Sequence, residues 1–243
     1  SDIMARINEG RSFVHHSGHS NATYTMRLYI SDITNSNFPQ LNGIDENYTL
    51  IYTHGCICGA FDESDCIAEK MLYIDNFVVA GAFNSRYGWF NEGQTEGPSA
   101  HLHREFTDAL YHEKIDRIGA THLESKIQTS TWVNAPGQHE EGALRWCFYD
   151  CNILGDPVLA IWTAEPVPVE ATYPQSITLG TDSIEVTITS NGDPVENFRC
   201  TFFKEGDYYG VGITDSLGNA TIVFEPPIIS VGDAELIVSG YNC

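Results

Sequence analysis

The segment Phe77-Val78-Val79-Ala80-Gly81-Ala82-Phe83 carries no polar side chain over seven residues. A run that short and that apolar reads as a strand covered on both faces, the environment of a largely parallel sheet flanked by helices. Its surroundings agree. Phe13-Val14-His15-His16 and Tyr48-Thr49-Leu50-Ile51-Tyr52-Thr53 are two further strand candidates. Asp2–Glu9 is expected to be a short amphipathic helix ending at Gly10. Ser64–Leu72 is expected to be helical, with Ser64 as N-cap and Ile67, Met71 and Leu72 inward. Two longer helical stretches are expected at Pro98–Lys114 and Glu140–Leu154. Alternating strand and helix predicts an α/β layer architecture.

The texture changes at Glu165-Pro166-Val167-Pro168-Val169, a Pro-rich stretch without helical period that reads as a linker. Beyond it, short alternating runs at Ser183–Thr189, Phe198–Phe203, Thr221–Phe224 and Glu235–Ser239 are separated by turn signals such as Asn191-Gly192-Asp193-Pro194. That pattern predicts a small antiparallel β-sandwich. The expected domains are therefore 1–164 and 165–243.

Twelve basic residues against 33 acidic ones give a net charge of −21. Such a surface repels nucleic acid and anionic membrane, so neither is expected as a partner. The acidity is spread along the chain: residues 165–243 hold 2 basic and 12 acidic side chains, and residues 1–164 hold 10 and 21. No apolar run approaches the length of a membrane span, and no signal peptide opens the chain, so a secreted protein is met here in mature or cut form. Seven cysteines leave one thiol unpaired by arithmetic.

In an open α/β sheet, reactive groups gather where strands end. One strand runs into Ser17-Gly18-His19-Ser20, another into His54-Gly55-Cys56. A thiolate attacks carbonyls, and a nearby imidazole takes its proton or pairs with it. Glycines beside the reactive residues allow tight turns and leave backbone N–H groups facing a developing oxyanion, here those of Ser20 and Cys56. Set against this, a buried cysteine at a strand end is more often inert core.

The surrounding words resemble a known family. Ile7 to Tyr24, with Val14-His15-His16-Ser17-Gly18-His19-Ser20 at its centre, is similar to the segment that carries the catalytic histidine in gingipain-type cysteine peptidases. Gly55-Cys56-Ile57-Cys58-Gly59-Ala60-Phe61 resembles the nucleophile segment, and Asp65-Cys66-Ile67-Ala68-Glu69 the helix behind it. Gly81 to Trp89 resembles the next strand and loop, and Arg145-Trp146 through Leu154-Gly155-Asp156-Pro157 the closing helix and turn. The landmarks come in family order over residues 2–163. The resemblance implies a caspase-like sheet, a Cys56–His19 dyad and hydrolysis of peptide bonds. It also implies Trp89 as an aromatic wall of the substrate pocket and an immunoglobulin-like domain after the catalytic one. It implies a secreted or cell-surface bacterial endopeptidase acting on protein or peptide substrates. The family's catalytic domain begins well before its histidine, so an N-terminal chain or segment is expected to complete the sheet. Ser20 stands where the best-known members have glycine, and the β-domain stops about one strand early.

Other residues have more than one reading. Cys58, two residues from Cys56, would share its direction on an extended backbone and is a rival nucleophile; the family register favours Cys56. Cys66, Cys147 and Cys151 read as core, and Cys200 with Cys243 as a bridge within the β-domain. His15, His16 and His19 near Cys56 and Cys58 invite a zinc reading, but His15 and His16 alternate faces on a strand, so no metal site is expected. His54 either orders the site or is a hydrogen-bonded strand-end histidine. Arg86, beside the expected pocket wall, either selects acidic side chains or ties loops through carboxylates. Asp62, Glu92 and Glu96 are loop acids that suit solvation or structural calcium, and catalysis is expected to need no cofactor. Two rivals keep the fold and change the function: an inactive surface binding protein, separable by thiol labelling, and a zinc-binding protein, separable by elemental analysis.

Overall fold

A computed structural model describes residues 2–136 and 140–243. The chain divides into two compact units, Ser1–Ile161 and Trp162–Cys243. In order, the first unit holds α1 (Asp2–Ile7), β1 (Phe13–His16), the short ribbon β2 (Tyr24–Thr25) and β3 (Leu28–Tyr29), β4 (Thr49–Thr53), α2 (Ile67–Tyr73), β5 (Val78–Asn84), α3 (Pro98–Tyr111), α4 (Ile118–Ser130), α5 (Ala143–Asp150) and β6 (Cys151–Gly155).

The apolar run forms β5, and it is buried because it lies inside a four-stranded sheet of order β1-β4-β5-β6. β1, β4 and β5 are parallel, with Phe13 opposite Leu50 and Ile51 opposite Gly81, and β6 closes one edge antiparallel. Alternation along β4 splits the core in two. Ile51 points to a cluster with Cys58, Cys66, Ile67, Met71 and Phe83 on the α2 side. Leu50 and Tyr52 point to a second cluster with Leu102, Phe106, Leu110, Ile118 and Cys147 from α3, α4 and α5.

Two expectations are corrected, and one helix is added. α2 starts later than Ser64: Cys66 is its N-cap, and the Glu69 carboxylate accepts the Cys66 N–H at 3.0 Å. The closing helix ends at Asp150, after which Cys151-Asn152-Ile153-Leu154-Gly155 turns into β6, pairing Ala82 with Ile153. An entire helix, α4, is absent from the sequence reading; its buried positions are Thr121, His122, Ser125 and Thr129 beside Ile118, so it has no apolar stripe to reveal it.

The second unit holds β7 (Glu170–Thr172), β8 (Ser183–Ser190), β9 (Asp193–Pro194), β10 (Arg199–Lys204), β11 (Asp207–Ile213), β12 (Asn219–Val223) and β13 (Ala234–Ser239). They form two antiparallel sheets, β11-β10-β13 and β12-β8-β7, with β9 pairing β8. Val186, Ile188, Cys200, Phe202, Ile222 and Phe224 share one core. The β8–β9 turn is Asn191-Gly192 with φ of 51° and 88°, the left-handed pair that a two-residue hairpin requires. β7 and β11 escaped the sequence reading. Gly210 and Gly212 thin out the pattern of β11, and a side chain at either would press on the backbone of β12. Cys200 and Cys243 are both free thiols, which corrects the expected bridge.

Candidate active site

Because β1, β4 and β5 are parallel and adjacent, the loops that leave them start from the same end of the sheet. Backbone bonds knit these loops together. His54 N–H donates to the His16 carbonyl at 2.9 Å, Ile57 N–H to Arg86 at 2.6 Å and Gly59 N–H to Asn84 at 3.0 Å. The absence of a Cβ at Gly55 lets Ser20 lie against it, since a side chain there would overlap the Ser20 hydroxyl. Gly88 in turn sits so close to the His54 carbonyl that a Cβ would collide with it. The residue after His19 and the residue before Cys56 are therefore in contact.

Below the first turn, the His16 ring fills the space under Gly18, and its Nδ1 lies 2.8 Å from Thr53 Oγ1. That hydroxyl also accepts the Gly55 N–H at 2.9 Å. One threonine thus ties both loops to β4. His19 is exposed at the tip.

The Cys56 thiol is half-buried and points to the Gly88 carbonyl at 3.6 Å. Among the described residues, neither the Cys56 nor the Ser20 backbone N–H has a protein acceptor, whereas those of Gly55 and Ile57 on either side of Cys56 are both engaged. Cys58 does not share the direction of Cys56, as an extended chain would make it do. Ile57 between them has φ of 61°, so the backbone turns and buries Cys58 in the α2-side core. Burial pushes the Cys58 thiol up to about 12, which disfavours the thiolate. His122 and Cys151 are also close, with His122 Nε2–H donating to the Cys151 carbonyl at 3.0 Å. The Cys151 sulfur itself faces the Tyr52 hydroxyl in the core, and burial pushes it up to about 11.

Trp89 is half-buried against the α3-side core, with its backbone N–H donating to Ser99 Oγ at 3.0 Å. Arg86 makes a two-pronged ion pair with Asp62, at 3.0 and 2.6 Å, and donates to the Ser85 carbonyl at 2.7 Å. That is the loop-tying geometry. Arg86, Asp62, Phe61, Trp146, Tyr149 and Asp150 line a surface depression of about 340 Å³. Glu96 pairs with Arg104, so two of the three loop acids considered for calcium face arginines.

His15 and His16 do point to opposite faces. His15 lies on the α3 side with His54 and with His103, a residue the sequence reading did not connect to them. His15 Nε2 is 3.1 Å from His54 Nε2. Burial, reinforced by the neighbouring histidines, lowers His54 to about 4 and His103 to about 3.

Asp150, next to the depression, is 5% exposed, and its two oxygens have no hydrogen-bond partner. Burial raises its carboxyl to about 7 against the pull of Lys126 and Arg86. A raised carboxyl binds its proton more tightly in the folded state, so it favours folding below the unfolded value near 4, and that contribution is lost as pH rises toward 7. The buried histidines act the other way. Unfolded, they take up protons below about 6.5, so folding weakens as pH falls from there toward 4. Asp150→Asn is expected to raise stability by up to about 4 kcal/mol at pH 8 and to change it little at pH 4. Thermal melts of both proteins across that range check this.

Residues 1–162 match the model of peptidase family C25. Among curated proteins, gingipain R2 of Porphyromonas gingivalis is 21% identical, over 99% of this chain and 31% of the relative. Among solved structures, the Arg specific cysteine proteinase gingipain R (RGPB) superposes with a TM-score of 0.78 at 21% identity, covering 99% of this chain and 53% of that one. The complex of Porphyromonas gingivalis RgpB pro- and mature domains gives 0.76 at 19%, covering 99% and 54%. The chain thus spans about half the length of the solved structures and under a third of the curated relative it matches. The mixed sheet between helices is the fold of those gingipain structures. With its family model matched over residues 1–162, this chain belongs to peptidase family C25.

Proposed function

We propose that the chain is the C-terminal part of a cysteine endopeptidase catalytic domain, residues 1–164, followed by an immunoglobulin-like domain, residues 165–243. Cys56 is the nucleophile and His19 its base. The single observation that carries this reading is the environment of Cys56: a half-exposed thiol at the crossing of three loops, next to Gly55, against which Ser20 lies, with no protein acceptor among the described residues for either the Cys56 or the Ser20 backbone N–H. Two such donors are what a tetrahedral oxyanion needs.

The Cys56 proton passes to His19, and the thiolate attacks the scissile carbonyl, forming a C–S bond. As the C–N bond breaks, His19 returns that proton to the leaving amine. A water then attacks the acyl-enzyme, giving one proton to His19 and releasing the C–S bond and the acid. Trp89 borders the substrate pocket. Arg86, engaged by Asp62, is a loop tie in this scheme. Among the described residues β1 has a neighbour on one side only, which supports an upstream segment or separate chain adding to that edge. A secreted or cell-surface setting goes with this reading, and no described helix is long and apolar enough to cross a membrane.

The test is modification of the folded protein by a thiol-reactive peptidyl ketone, located by mass spectrometry. One adduct on Cys56 is expected before any on Cys243, the other half-buried thiol. No adduct on Cys56 in the folded protein means an inactive, binding role for the same fold.

A further inference from the structure

Three imidazoles from three elements meet on the α3 side of the sheet: His15 on β1, His54 just past β4 and His103 on α3. Each offers a ring nitrogen, and these nitrogens all lie within 4.8 Å of one another. His15 stacks on His103 with ring centroids 3.7 Å apart, and the His54 ring stands edge-on to both. The cluster is under-satisfied as a purely structural feature. His103 Nε2 is buried with no hydrogen-bond partner, and the His15–His54 contact uses one nitrogen from each ring. An orphaned buried nitrogen in a nest of neutral imidazoles calls for an explanation.

A metal ion supplies one. Zinc binds imidazole nitrogen at about 2.0–2.1 Å, which sets two nitrogens of a tetrahedral site about 3.3 Å apart. His15 Nε2 and His54 Nε2 are already at 3.1 Å. The third nitrogen, on His103, lies within 4.8 Å of both. The Tyr52 ring, itself packed on Phe106, contacts all three imidazoles, while the exposed His15 leaves the outer side open to water. We propose that His15, His54 and His103 bind a zinc ion, with water in the fourth position and neither Cys56 nor His19 among the ligands. The ion would fasten α3 to the ends of β1 and β4, directly behind the loop that presents Cys56.

The experiment is titration of zinc into the metal-stripped full chain in a Cys56→Ser background, read by calorimetry and by metal content after gel filtration. One equivalent is expected to remain bound. His103→Gln and His15→Gln, each checked for an unchanged apo melting temperature, are expected to weaken binding at least tenfold. Cobalt substituted for zinc should give visible bands of an imidazole site without a sulfur charge-transfer band. Loss of the ion in Cys56→Ser, a sulfur band in the protein with Cys56 intact, or undiminished binding in His103→Gln and His15→Gln would each overturn the proposal. So would the absence of stoichiometric zinc.

Discussion

Cys56→Ala is expected to lower kcat/KM for peptide hydrolysis by at least about 10³-fold, with a melting temperature close to that of the parent protein. His19→Ala is expected to fall by a similar factor, and the two together by little more than either alone, because nucleophile and base act as one unit. Cys58→Ala should do the opposite. Cys58 is fully buried in the α2-side core that also holds Ile67 and Phe83, so removal of its sulfur leaves a small cavity and costs about 1 kcal/mol or more of stability, while activity stays within a few-fold. Steady-state kinetics beside thermal melts on the three variants separate these outcomes. Hydrolysis that survives Cys56→Ala and disappears with Cys58→Ala would transfer the nucleophile to the other thiol.

Gly88→Ala is the second change expected to have a large effect, and it touches no reacting atom. The new methyl group has no free space: it meets the His54 carbonyl and the Asn84 side-chain amide, and a main-chain oxygen cannot step aside as a flexible side chain can. The loop after β5 must retreat from the loop after β4. The Gly88 carbonyl, which faces the Cys56 sulfur at 3.6 Å, retreats with it. Overpacking of this kind costs about 1–3 kcal/mol, and a shift of about 1 Å at a reacting centre costs roughly 10²-fold in rate. Gly93, in the same loop, makes the contrast. It has φ of 73° and nothing within 4 Å, so Gly93→Ala is expected to lose about 1 kcal/mol of stability through backbone strain and to keep its activity. Equal kinetics for Gly88→Ala and the parent protein would show that these two loops are not coupled as described.

What could be read from the sequence follows from which interactions are local. β1, β4 and β5 are continuous runs whose residues fit a pleated, covered strand, and their limits agree with the structure to within one residue at each end. β6 lies inside the expected helical stretch Glu140–Leu154; Cys147 and Cys151, four apart, have a helical spacing that pairing with β5 overrides. α4 was invisible because tertiary contacts bury its threonines, serine and histidine, side chains that no hydropathy pattern marks as core. At the site, strand ends and glycines pointed to His19, Ser20 and Cys56. The direction of Cys58 was misjudged because one left-handed residue, Ile57, cannot be recognised by its type. His103 could not be joined to His15 and His54 either, since only the placement of α3 over the sheet brings residues that far apart in sequence together. Arg86 offered two readings, and its partner Asp62 sits on a separate loop.

The bonds that hold the reactive loops in register are mostly bonds between peptide groups: His54 to His16, Ile57 to Arg86, Gly59 to Asn84. Peptide groups are the same at every position whatever the side chain. The residues facing the cleft can therefore be exchanged widely without disturbing where the thiol sits. A scaffold of this kind allows specificity to drift while the chemistry stays fixed, and it confines intolerance to the few places, Gly88 against the His54 carbonyl among them, where two main chains come too close for any side chain at all.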